Sequence, residues 1–114
     1  MSKYYSIAEL IRMDIFAKYR TPHQLIPSIR SYSKMYHVNP NTVSRALHLL
    51  EKENIIYPYR TKGYYVSEII QNKKEEYVKV QAEHLVTVLQ NLGYSNIEIE
   101  KLVINWMQVT EIYV

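Results

Sequence analysis

The sequence predicts a mainly α-helical chain with one small β-hairpin, laid out as a compact domain over residues 1–70 followed by a two-helix hairpin over residues 71–114. Three observations predict it. Apolar residues recur at helical spacing in five separate stretches. Only one stretch, IIYPYRTKGYYVSE, sets β-branched and aromatic residues on both sides of a turn. Prolines, N-cap residues and capping boxes punctuate the helical stretches where starts and stops are needed. At 114 residues and 47% hydrophobic content the composition is that of an ordinary small globular chain. Cysteine is absent, which excludes disulfides and thiolate metal sites. No stretch approaches a membrane span, and MSKYYSIAELIRMDIFAKYR carries charges where a signal peptide needs an unbroken apolar core. A soluble, cytoplasmic protein is expected.

The first helix is expected from about Ser6 to Tyr19, with Ser6 and Glu9 as a capping box and Ile7, Leu10, Ile11, Ile15 and Phe16 as its apolar face. Thr21 and Pro22 end it. After HQLI, Pro27 and Ser28 open a second helix in which Ile29, Tyr32, Ser33 and Tyr36 share a face. His37 and Val38 make a short turn into a third helix. Proline suits the first helical position, so Pro40 starts this helix and Asn39 caps it. Val43, Ala46, Leu47 and Leu50 form its buried stripe, and Asn54 stands where a left-handed residue follows a helix. In the hairpin, Gly63 supplies positive φ at the turn, and Pro58, which donates no ladder bond, implies an edge strand.

QNKKEE marks a shift in composition, after which Val78, Ala82, Leu85, Leu89 and Leu92 repeat in steps of three and four like an a/d seam. Gly93 stops that helix. Ser95 and Glu98 form a capping box for the last one, whose apolar face holds Ile99, Leu102, Val103, Trp106 and Met107. A helical hairpin of this size cannot hide so much apolar surface by itself. The seam and Trp106 therefore predict a homodimer interface; the alternative is that the hairpin folds back on the first domain to complete a monomeric core.

Two short helices joined by a tight turn match a helix-turn-helix, whose second helix is the one presented to the DNA major groove. On the third helix, Asn41, Ser44, Arg45 and His48 lie opposite the apolar stripe. Arg45 has the donor geometry to contact guanine, and Asn41 to read adenine or bind phosphate. Thr42 can bond a phosphate or support the cap. Arg60 and Lys62 sit at the hairpin tip, the position of a wing beside a helix-turn-helix, and suit phosphate contacts. Charge agrees. Residues 1–68 hold ten Lys/Arg against five Asp/Glu, or +5, whereas residues 69–114 hold four against six, or −2. Solvated polar faces and mixed surfaces are common, so each feature alone is also compatible with no partner.

The twelve tyrosines read chiefly as packing residues, with Tyr32, Tyr36, Tyr57 and Tyr65 at positions that face neighbours. A pocket between the first domain and the helical hairpin, lined by Trp106 and tyrosines, would suit an unknown small-molecule effector. The four histidines show no paired metal spacing, and no nucleophile motif or phosphate-binding glycine loop occurs. Neither catalysis nor a cofactor is expected.

The order of motifs resembles the GntR family of bacterial winged-helix transcription regulators, in particular its short YtrA-like branch. The resemblance rests on IPSIRSYSKMYHVNPNTVSRALHLLEKENIIY, on the YRTKGYYV hairpin and on a short terminal region containing LGYSNIEIEKL. It implies a winged helix-turn-helix and DNA contacts by Arg30, Asn41, Thr42, Ser44, Arg45, Lys62 and Gly63. It also implies dimerisation through the terminal helices. Many relatives carry glycine where this chain has His37, Asn54 and Thr61. Ser44 stands where many have arginine, while Arg45, one step on, agrees with YtrA-like sequences. The leading expectation is a homodimeric repressor that binds double-stranded DNA at a palindromic operator. A winged-helix protein–protein adaptor without DNA binding is the alternative.

Overall fold

The computed structural model describes residues 3–19 and 21–113, with side chains as far as residue 109; Met1, Ser2, Arg20 and Val114 lie outside the described residues. The elements in chain order are α1 (Lys3–Lys18), α2 (Ile29–Tyr36), α3 (Pro40–Lys52), β1 (Ile56–Pro58), β2 (Tyr64–Val66), α4 (Ile70–Asn91) and α5 (Asn96–Tyr113). The fold is mainly helical with one antiparallel hairpin, as the sequence predicts. Two compact units are distinguished, Met1–Glu75 and Glu76–Val114, and α4 begins in the first and continues into the second.

In the first unit α1 packs on α3, and α2 and β1 also contact α3. The core holds Ile7, Ala8, Ile11, Ile15 and Phe16 of α1, Tyr32 of α2, and Val43, Ala46, Leu47 and Leu50 of α3, closed by Ile26, Ile55, Ile56, Val66 and Ile70. Each large aliphatic side chain so buried contributes about 1.5–3 kcal/mol. Two expectations for α1 are corrected. Ser6 does not cap the helix, because the helix begins at Lys3 and Ser6 lies inside it. Leu10 is not part of the buried face; the stripe of Ile7, Ala8, Ile11 and Ile15 turns it to solvent, and it is 40% exposed.

The helix-turn-helix is held from several directions. Ser28 Oγ accepts from the Ser31 N–H at 3.1 Å and caps α2. Asn39 Oδ1 accepts from the Asn41 N–H at 2.8 Å, and Pro40 opens α3. Between them His37 takes the left-handed conformation at φ 53°, and the Val38 N–H reaches back to the Ser33 carbonyl at 3.1 Å. This is the closing bond of a Schellman motif, normally built with glycine. The same motif ends α3: Asn54 has φ 62°, and the N–H groups of Asn54 and Ile55 bond the carbonyls of Glu51 and Leu50. The Tyr32 hydroxyl donates to Asp14 Oδ2 at 3.0 Å, and Asp14 pairs with Lys18 at 2.9 Å. Burial first, and then the Asp14 charge, push the Tyr32 pKa far above its ordinary value, so this hydroxyl remains a donor.

The hairpin pairs Ile56 with Val66, Tyr57 with Tyr65 and Pro58 with Tyr64. The segment His23–Ile26 lies along the far side of β2, with His23 N–H bonding Val66 O at 2.8 Å and Ile26 N–H bonding Tyr64 O at 3.1 Å. β1 is therefore the open edge, which is where Pro58 stands. The Tyr59 N–H bonds Gly63 O, and the Ser67 N–H bonds Ile55 O. By alternation the N–H direction at residue 58 points away from β2, so proline costs the ladder nothing.

In the second unit α4 ends in a third Schellman turn at Gly93, φ 95°, with the Tyr94 N–H bonding Leu89 O at 3.1 Å. Ser95 and Glu98 form the capping box: the Ser95 N–H bonds Glu98 Oε1 at 3.0 Å and the Glu98 N–H bonds Ser95 Oγ at 3.2 Å. Those bonds hold the Glu98 carboxyl below the usual glutamate range. Ile99 is buried, whereas the apolar residues of the seam remain largely outside.

Candidate nucleic-acid interface

The stripe that buries Val43, Ala46, Leu47 and Leu50 fixes what α3 shows to solvent. Asn41, Ser44, Arg45 and His48 are all exposed, and Thr42 is half-buried beside the cap. His48 Nδ1 lies 3.9 Å from Glu51 Oε1, a loose contact that matters only when the histidine is protonated. Arg30 is exposed in the first turn of α2. At the wing, Arg60, Thr61, Lys62 and Gly63 are exposed. Gly63 has φ 112°, and a Cβ there would make only ordinary contact with Leu25 at 3.7 Å; glycine is required by the backbone, not by space. The other left-handed residue of the tip is Arg60, at φ 55°, with its guanidinium 5.2 Å from the Tyr59 ring centroid. Thr61 carries no positive φ, so the wing closes without glycine at that position.

The face is not confined to α3. Tyr4, Tyr5, Ser44, Arg45, His48, Leu49, Lys52 and Tyr64 line an open groove of about 550 Å³. Sequence reasoning missed the tyrosines of α1. Their signal was present, since Tyr4 stands three residues before Ile7 and four before Ala8 and so continues the buried stripe. The Tyr64 hydroxyl donates to Glu51 Oε1 at 3.3 Å, and burial followed by the Glu51 charge raises its pKa. Arg45, His48 and Lys52 make the groove basic.

In the second unit Leu85, Leu89, Leu92, Tyr94, Leu102, Val103, Trp106 and Met107 line an apolar groove of about 760 Å³. Leu92 is 68% exposed, Trp106 67% and Val78 54%, and Ala82 is also exposed. Among the described residues no group of His, Cys, Asp or Glu is placed to hold a metal ion, and no helix is long and apolar enough to cross a membrane.

Residues 3–66 match the family profile "Bacterial regulatory proteins, gntR family". The HTH-type transcriptional repressor YtrA of Bacillus subtilis is 36% identical over 85 residues, which are 71% of this chain and 63% of YtrA. The match thus spans less than two thirds of that relative. A GntR family transcriptional regulator from Listeria monocytogenes superposes with a TM-score of 0.76 at 25% identity, covering 95% of this chain and 94% of its own. AraR(DBD), solved in complex with operator ORE1, has the same fold at a TM-score of 0.54 and 24% identity, over 59% of this chain and 82% of that one.

Proposed function

The chain belongs to the gntR family of bacterial regulatory proteins, and from that premise we propose that it is a sequence-specific transcriptional repressor that acts in the cytoplasm, binding an approximately palindromic operator as a homodimer. The observation that carries this reading is α3, whose buried stripe leaves Asn41, Ser44, Arg45 and His48 together on solvent. The repressor YtrA and the operator-bound AraR(DBD) support it as relatives in sequence and in fold.

In the proposed complex the first part of α3 enters the major groove. Arg45 donates two bonds from its guanidinium edge to guanine O6 and N7, and Asn41 reads adenine or holds a phosphate. Thr42 and Ser44 bond the backbone or adjacent base edges, and His48 extends the contact. Arg30, Arg60 and Lys62 approach phosphates, with Gly63 letting the wing backbone come close. A second copy covers the seam of Val78, Ala82, Leu85, Leu89 and Leu92 together with Trp106. Two-fold symmetry then sets two recognition helices on successive turns of one DNA face. The terminal helices over residues 71–114 serve dimerisation in this reading, and residues 1–70 serve DNA binding.

Selection of genomic fragments by the purified chain, repeated at several salt concentrations, tests the proposal. Recovery of one palindromic motif whose affinity falls steeply with salt is the expected result. Absence of any salt-sensitive DNA binding would favour the protein adaptor instead.

A further inference from the structure

The guanidinium of Arg45 is already held in the free protein. Its Cζ lies 4.2 Å from the ring centroid of Tyr4. Tyr4 is in turn stacked on Tyr5, with centroids 4.5 Å apart and planes at 29°. Among the described residues no carboxylate pairs with Arg45, so the phenol ring is the support. A guanidinium lying over a ring is covered on that side while its N–H donors remain available to other partners. Bidentate recognition of guanine uses two such donors.

Resting on the DNA-binding reading above, we infer that Tyr4 is a positioning residue for base recognition: it fixes the plane of the Arg45 guanidinium before DNA arrives. An unsupported arginine must give up its rotamer freedom on binding, whereas a stacked one has surrendered part of it beforehand. The start of α1 makes this possible. Because the helix begins at Lys3, Tyr4 belongs to its first turn and is carried on the same stripe as Ile7, Ala8 and Ile11, which faces α3. The effect falls on discrimination between sequences, since the phosphate contacts proposed for Arg30 and Lys62 do not pass through Tyr4.

The test uses the full chain with Tyr4→Leu, Tyr4→Phe, Arg45→Ala and the Tyr4→Leu/Arg45→Ala pair. Each is titrated against a duplex recovered in the genomic selection and a scrambled duplex of equal length. Leucine keeps apolar bulk against α3 but removes the aromatic face; phenylalanine keeps the face. Tyr4→Leu should lower the ratio of the two affinities about three- to five-fold, as loss of an exposed cation–π contact allows. Tyr4→Phe should retain the wild-type ratio, and Tyr4→Leu should cost nothing further once Arg45 is alanine. If Arg45→Ala loses discrimination while Tyr4→Leu keeps it, or if the two losses simply add, the positioning role is overturned and the DNA-facing assignment survives. If Arg45→Ala discriminates like wild type, that assignment falls and takes the positioning role with it.

Discussion

Arg45 stands on a helix anchored by four buried residues, and Lys62 on the tip of a two-stranded hairpin, so the two cations are supported very differently. A rigid, planar donor can discriminate bases; a mobile ammonium neutralises phosphate on any sequence. Arg45→Ala is therefore expected to weaken binding to the selected operator by about 1–3 kcal/mol and to relax specificity. Lys62→Ala should weaken binding to all duplexes alike and reduce the salt slope by about one unit. Titrations of both variants across salt check the pair, and unchanged operator affinity in both would remove α3 and the wing from the DNA face. His37 carries a different kind of information. An L-residue at φ 53° pays a steric cost that glycine avoids, offset in part by the extra freedom of glycine in the unfolded chain. His37→Gly should stabilise the fold by about 0.5–1 kcal/mol, and Asn54→Gly by less, because asparagine tolerates the left-handed region. Urea unfolding would show this as a raised midpoint at constant slope; a lowered midpoint for His37→Gly would mean that the side chain contributes something the backbone argument omits. The left-handed turn at Asn54 was legible because asparagine is a common substitute for glycine there, whereas the same conformation at His37 was not, because histidine carries no such signal.

At the scale of elements, one ion pair ties the first helix to the end of the third. Arg12 Nε and Nη2 donate to Glu53 at 2.7–3.1 Å, Nη1 pairs with Glu9, and the Arg12 side chain is only 12% exposed. Glu53 is the C-cap of α3, so this fork clamps α1 to α3 at the end remote from Asn39. Arg12→Ala should cost about 1–3 kcal/mol, in line with charge-assisted bonds lost from a partly buried site. Arg12→Lys should recover only part of that, since an ammonium cannot reproduce the fork. Thermal unfolding decides it; a lysine variant as stable as wild type would show that charge alone suffices. Starts and stops governed by short-range signals were legible: Ser28, Asn39 with Pro40, Asn54, Gly93 and the Ser95/Glu98 box all lie where the sequence put them. What escaped depended on distant partners. The Ser6/Glu9 spacing imitates a capping box, yet packing of Tyr4 against the α3 face prolongs α1 past it. The strand-like segment His23–Ile26 shows no periodicity because its bonds go to a hairpin some forty residues on, and four residues beside two prolines are too few to read.

For the molecule as a whole, assembly is the decisive question. The apolar groove of the second unit is wide open, and the seam on α4 stays outside a single chain's core. Wild-type protein should sediment as a dimer at micromolar concentration, and the Leu85→Glu/Leu89→Glu double variant as a monomer with much weaker operator binding. A wild-type chain that stays monomeric yet occupies its operator with one copy per site would refute the dimer. Association of a second kind has to be avoided by such a protein. In the proposed dimer two chains on one operator would bring two hairpins into a small volume, and a strand with a free edge is a template for unwanted sheet growth. Among the described residues nothing pairs with the outer edge of β1, whose outward N–H positions are those of residues 56 and 58. Ile56 is buried and residue 58 is proline, so the exposed part of that edge offers no strand N–H to a neighbour. Pro58→Val would supply an exposed donor, and concentrated solutions of that variant should scatter light where wild type stays clear; equal clarity would mean that the wing is protected by its charges instead. On this reading a residue that contributes nothing to the ladder of its own hairpin would set how densely the protein can be stored without aggregating.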